Sequence, residues 1–114
     1  MADCLFCKVV AGEIPARIVK RTDDAVAFHD IDPRAPVHVL VIPTRHVAAV
    51  RDVSPDGEGL LGRMLRFAAE VARELGLDAG GYRIVTNTGA DAGQSVDHLH
   101  LHVLGGRKLT WPPG

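Results

Sequence analysis

Apolar and polar positions change rhythm along this chain, and each change of rhythm marks an element. Leu60, Leu61, Met64, Leu65, Ala68, Val71, Ala72 and Leu75 recur at three- and four-residue spacing. That is the period of a helix with one apolar face, and it predicts a long helix over residues 56–75. Ser54-Pro55 supplies an N-cap and a proline suited to the first helical position, and Gly76 is a left-handed terminator. Elsewhere the period falls to two, or apolar residues run together. Residues 37–42 are an apolar, β-branched run stopped by Pro43, the pattern of a central strand. Residues 17–20 and 25–29 read as strands flanking the turn signal Thr22-Asp23-Asp24. Residues 82–87 and 98–104 read as a fourth and a fifth strand. A short helix is expected at 4–11, with Asp3 as N-cap and Gly12 near its end. Strands that come in a block, without alternating helices, predict an α+β fold: a five-stranded antiparallel sheet with helices on one face.

The fifth strand carries the most chemistry. In His98-Leu99-His100-Leu101-His102-Val103, three of the chain's six histidines stand two residues apart. A strand turns successive side chains to opposite faces, so the imidazoles share one side and Leu99, Leu101 and Val103 the other. At about 3.3 Å per residue, His98 and His102 lie about 13 Å apart at Cα. Imidazole titrates near neutral pH, attacks electrophiles and binds metals, and packing alone explains such a row poorly. The preceding loop, Asn87-Thr88-Gly89-Ala90-Asp91-Ala92-Gly93-Gln94-Ser95, combines glycines with neutral donors. Glycine lets backbone N–H groups approach an anion, and Asn87 and Ser95 add side-chain donors. An anion held there would sit beside His100. The chemistry suggested is attack by an imidazole on phosphorus, with neutral donors stabilising the developing charge.

Composition narrows the field. A length of 114 residues fits one domain, and 46% hydrophobic residues with a net charge of −1 describe a globular chain. The absence of charge bias argues against a general nucleic-acid surface. No run approaches 18 apolar residues and the N-terminus lacks a signal pattern, so no membrane association and a cytoplasmic location are expected. Cys4 and Cys7 are the only cysteines. In a reducing compartment, that spacing suggests a metal clip or thiol site more than a structural disulfide.

His98-Leu99-His100-Leu101-His102-Val103-Leu104 resembles the His-φ-His-φ-His-φ-φ signature of the histidine-triad (HIT) superfamily. The likeness covers nearly the whole chain. Phe28-His29-Asp30-Ile31-Asp32-Pro33 and the segment from Ala35 to Pro43 are similar to the family's segments around its first site histidine. Gly93-Gln94-Ser95-Val96 and the ending Trp111-Pro112-Pro113-Gly114 resemble the Hint branch, the nucleoside phosphoramidases. The resemblance implies a single HIT domain over 1–114. It also implies a homodimer whose two sheets join into a ten-stranded one, and a tail, 105–114, that contacts the partner. The substrates implied are purine nucleoside monophosphates and their phosphoramidates, such as AMP-amine or AMP-lysine conjugates, hydrolysed without a metal. His100 would be the nucleophile and form a nucleotidyl-histidine intermediate. His102 would meet the phosphate or leaving group, His38 would relay a proton, and the backbone near His98 would orient His100. Asn87 and Ser95, with Gly93 and Gln94 in the same loop, would hold the phosphate or leaving group. Asp30 would take the ribose hydroxyls, and Leu5, Phe6, Val9, Phe28, Ile31 and Leu40 would enclose the base. Trp111 would influence which leaving group fits.

Bland readings stand beside these. His38 opens an apolar strand and fits a packed core histidine; His29 and Asp97 are given no role. A catalytic zinc on three histidines competes with the nucleophile. However, same-face residues on a strand stand about 6.6 Å apart, and no carboxylate groups with them. Some bacterial-type relatives look like they hold a structural zinc with two such cysteines, a histidine after the third strand and the first triad histidine. Here that set would be Cys4, Cys7, His46 and His98; two small residues on a short helix fit the spacing equally well. Other functions consistent with the motifs are a nucleotide-binding interaction protein with incidental turnover, a dinucleoside polyphosphate hydrolase or a nucleotidyl transferase. The Trp-Pro-Pro-Gly ending argues against the last two.

Overall fold

The computed structural model describes residues 3–114. In chain order its elements are α1 (Leu5–Ala11), β1 (Ile18–Arg21), β2 (Ala25–His29), β3 (Val37–Pro43), α2 (Glu58–Glu74), β4 (Tyr82–Val85) and β5 (Leu101–Gly105). The strands form one antiparallel sheet in the order β1-β2-β3-β5-β4. The run expected to be central is central: β3 is paired on both edges and buried from His38 to Pro43.

Alternation along the strands divides the core in two. Ala25 and Ala27 of β2, Val39 and Val41 of β3, and Leu101 and Val103 of β5 meet the apolar stripe of α2, including Leu60, Met64, Ala68 and Val71. Val26, Phe28, Leu40 and Ile42 turn the other way and pack with Phe6 and Val9 of α1. The two helices therefore cover opposite faces, whereas the grouping of strands predicted a single face. Strands that are apolar on both sides require cover on both sides. With only seven residues, α1 covers one part of its face.

Other departures have local causes. Cys4, not Asp3, caps α1, and its sulfur accepts the Cys7 backbone N–H at 3.4 Å. Gly12 ends that helix at φ 75°, as expected. The long helix starts at Glu58; the expected first turn at Pro55–Gly57 is a tighter 3₁₀ turn with the proline at its start. β5 begins at Leu101, not at His98. The Leu99 N–H bonds to the Val47 carbonyl at 2.6 Å, and the His100 carbonyl accepts from the Thr86 hydroxyl at 2.9 Å. These bonds lead away from the sheet ladder, and they also explain why β4 stops at Val85 instead of Asn87. The alternation survives: Leu99, Leu101 and Val103 are all buried on the α2 side.

Candidate active site

On the α1 side of the sheet lies a cavity of about 320 Å³. Leu5, Phe6, Val9, Phe28, Ile31 and Leu40 form its apolar wall; Asp30, Ser95, His100 and His102 bring the polar groups. All ten were picked out from the sequence. Ile14, Pro15 and Val96 also line it and were missed, because isolated apolar residues at a loop and a helix exit carry no periodic signal. His38, His98, Asn87, Gly93, Gln94 and Trp111 are not part of that lining. Phe6 stands edge-on to three rings, Phe28 at 5.6 Å, His98 at 5.9 Å and His100 at 5.2 Å between centroids.

Backbone groups fix the proton on each imidazole. A carbonyl only accepts, so the ring nitrogen that faces one carries hydrogen. His100 Nδ1 lies 2.8 Å from the His98 carbonyl, which leaves the Nε2 lone pair free. His98 Nε2 lies 3.0 Å from the Pro43 carbonyl, which leaves its Nδ1 lone pair free. His38 is turned the opposite way. The Arg34 backbone N–H donates to its Nδ1 at 3.0 Å, so the proton of the neutral ring sits on Nε2. That Nε2 stands 2.9 Å from His102 Nδ1 and donates to it. His102 must then carry its own proton on Nε2. The chain of donors runs in one direction, from Arg34 through His38 to His102.

His38 and His102 stay neutral at neutral pH. Burial, and then the charges of His100 and His38, push His102 down to about 4. Burial also lowers His38, and this outweighs the Asp30 carboxylate, whose Oδ2 lies 3.4 Å from His38 Nε2. At neutral pH that contact joins a carboxylate to a neutral donor and is not an ion pair. Asp30 Oδ1 is held by the Asp32 N–H at 2.8 Å.

A second cluster adjoins the first. The donor atoms of Cys4, Cys7, His46 and His98 all lie within 4.8 Å of one another. Cys4 Sγ is 3.3 Å and Cys7 Sγ 3.6 Å from His98 Nδ1, and Cys7 Sγ is 3.4 Å from His46 Nδ1. Burial, then the neighbouring Cys4, raises the Cys7 thiol. His98 Nδ1 is the nitrogen left without a proton by Pro43, so it faces the sulfurs as a ready ligand. Two sulfurs and two imidazole nitrogens at this separation fit a tetrahedral zinc. Asp30, His38 and His102 also bring ligand atoms within 4.8 Å of one another. That group is a poorer metal site, because His38 Nε2 carries the proton set by Arg34.

The HIT domain family matches residues 11–109. This chain belongs to the HIT family. Its HIT domain is 45% identical to the purine nucleoside phosphoramidase of Escherichia coli K12 over 107 residues, 94% of this chain and 90% of that protein. An uncharacterised HIT-like protein of Synechocystis is 48% identical over 112 residues, 98% of this chain and 97% of the relative. A HIT family hydrolase from Legionella pneumophila superposes with a TM-score of 0.96 at 49% identity, covering 98% of this chain and all of the other. A histidine triad protein from Clostridium difficile superposes at 0.94 and 39% identity, with 96% of each chain covered.

Several backbone and side-chain groups of this HIT domain shape the site without any pattern in the sequence that points to them. The Arg34 amide and the Pro43 carbonyl set imidazole tautomers, and Thr86 holds the carbonyl of His100. None has a side-chain pattern that announces the role. Trp111 is 79% exposed, with the Arg83 guanidinium 5.8 Å over its ring and Arg83 Nη2 bonded to the Thr110 carbonyl at 3.0 Å. Among the described residues, no helix is long and apolar enough to cross a membrane.

Proposed function

We propose that this HIT domain hydrolyses purine nucleoside 5′-phosphoramidates, releasing the nucleoside monophosphate and an amine. The observation that carries the reading is the aim of His100. Its Nδ1 is tied to the His98 carbonyl, which leaves Nε2 as the free nitrogen of a ring that lines a cavity with both apolar and polar residues. The base would lie among Phe6, Val9, Phe28, Ile31 and Leu40, and the ribose hydroxyls would donate to Asp30. The phosphate would then meet His100, with Ser95 beside it and Asn87 as a further donor. His100 Nε2 would attack phosphorus as the P–N bond breaks, giving a nucleotidyl-histidine that water hydrolyses.

An amine leaves well only when protonated. The free protein holds His102 and His38 neutral, so the proton must come with the substrate. An anionic phosphate or leaving group beside His102 would accept from its Nε2–H, the ring hydrogen that does not face His38. The relative from Escherichia coli, named a purine nucleoside phosphoramidase, supports the P–N specificity.

No step of this chemistry draws on a metal. A zinc on Cys4, Cys7, His46 and His98 would be structural and would pin α1 to the segments that carry the site. The sheet ends on β1 and β4. A ten-stranded dimer would need two copies to pair along one of these edges, and β4 is the edge beside which Trp111 lies, over Arg83. The cytoplasm is the compartment in which two free thiols would persist.

The test is steady-state hydrolysis of a fluorogenic AMP phosphoramidate. Wild-type turnover should fall by at least about 10³-fold in His100→Ala, with AMP still bound. Turnover retained by that variant removes the reading. Faster turnover of diadenosine polyphosphates than of AMP-amines would assign the other hydrolase branch.

A further inference from the structure

Gln94 sits in the loop that leads to the triad, and its side chain turns inward. Its Oε1 accepts the Gly89 backbone N–H at 2.9 Å. Its Nε2 donates to the Ala48 carbonyl at 2.7 Å and to the Val96 carbonyl at 3.0 Å. Both amide hydrogens are thus spent on the protein's own backbone, and none remains for a ligand. The main chain repeats the closure: Gln94 N–H bonds to the Gly89 carbonyl at 3.1 Å. Gly89 and Gly93 take φ of 85° and 80°, so the turn between them has a left-handed shape that other residues adopt only with strain.

The anchor of this clamp is the segment after β3. Ala48 is held by Gln94 and Val47 by the Leu99 N–H, so one short stretch receives both the loop and the start of the triad. The residues on the far side of Gln94 are Ser95 and Val96, which line the cavity with His100 and His102. A side chain that ties Gly89, Ala48 and Val96 together holds the backbone on both sides of Ser95.

We propose that Gln94 is a positioning residue for the phosphate side of the site: it touches no substrate, and its three backbone hydrogen bonds hold Ser95 in place against a phosphate at His100. This rests on the reading above of a nucleotide in the cavity. It predicts a split between the two halves of the ligand. Apart from Val96, the apolar wall and Asp30 make no hydrogen bond with Gln94, so the nucleoside half should bind nearly as before.

The test measures adenosine and AMP affinity, kcat and KM for wild type, Gln94→Ala and Gln94→Glu, with folding checked by circular dichroism. In Gln94→Ala, adenosine affinity should stay within about twofold of wild type, AMP affinity should fall about tenfold, and kcat about ten- to hundredfold. Gln94→Glu keeps the acceptor for Gly89 but turns a second oxygen toward two carbonyls. Those carbonyls favour the protonated acid, which can donate again. Its kcat relative to wild type should therefore climb as pH falls, whereas the same ratio for Gln94→Ala stays flat. Equal losses of adenosine and AMP affinity, or an unchanged kcat and AMP affinity, overturn the inference, as does a flat ratio for Gln94→Glu. A wild type that binds AMP without turning over counts against the hydrolase reading alone, because the adenosine–AMP split still reports on Gln94.

Discussion

The two faces of the sheet are built from the same strands and put to different uses. On the α2 side the buried core is apolar, with Met64, Ala68, Val71, Val39, Val41 and Val103 fully buried. On the α1 side, apolar residues share the surface with imidazoles, thiols and a carboxylate, and a cavity remains. Burial is common to both: His98 and His100 are as enclosed as the valines behind them. The difference is that each buried polar side chain needs a partner, and among the described residues each has one. One face therefore supplies stability through area, and the other supplies chemistry through directed hydrogen bonds.

Breaking the chemical face should separate activity from stability most completely. His100→Ala loses at least about 10³-fold in turnover, yet its melting temperature should stay within a few degrees of wild type. A large drop in melting temperature would show that the triad is chiefly structural. The mirror experiment is Met64→Ala on the other face. Removing a fully buried side chain from an apolar core costs about 2–5 kcal/mol, seen as a lower urea midpoint, and the folded fraction should keep its specific activity. Equal loss of both would mean that the faces are not independent.

The cysteine cluster tests where the faces meet. The purified protein should contain about one zinc per chain by elemental analysis, and Cys4→Ser with Cys7→Ser should remove it. Loss of the metal should lower the melting temperature by several degrees and raise KM more than it lowers kcat, because α1 carries Phe6 and Val9 to the cavity. A protein with no bound metal, or activity that vanishes with a chelator, would contradict a structural role.

The smallest effect concerns pH. His102 and His38 have folded pKa values below the ordinary 6.5, so the unfolded chain binds their protons more readily than the native one. Stability from these rings is complete above about 6.5 and declines as pH falls from there toward 4. Urea unfolding between pH 7 and pH 4 should show the decline, weakened in His102→Gln. An unchanged slope in that variant would mean that the ring is not held neutral by its burial.

The sequence by itself determined which residues share a face. Period-two alternation placed Leu99, Leu101 and Val103 against the core and the histidines away from it, and three- and four-residue spacing drew the buried stripe of α2. These rules need only a residue and its neighbours a few positions away. The cavity wall from Leu5 to Leu40 and the grouping of Cys4 and Cys7 with His46 and His98 came from family resemblance, since no local period links positions so far apart. What only the tertiary structure decided is what covers each face and which way each hydrogen bond points. Putting α1 opposite α2 depends on which apolar face each helix finds, whereas starting β5 at Leu101 and turning the Gln94 amide inward depend on carbonyls and amides from distant segments. The tautomers of His38, His98 and His100 depend on the backbone of Arg34, Pro43 and His98, and a backbone group carries no side-chain signature. Periodicity is local, whereas the proton on a buried imidazole is set by whatever the fold brings beside it.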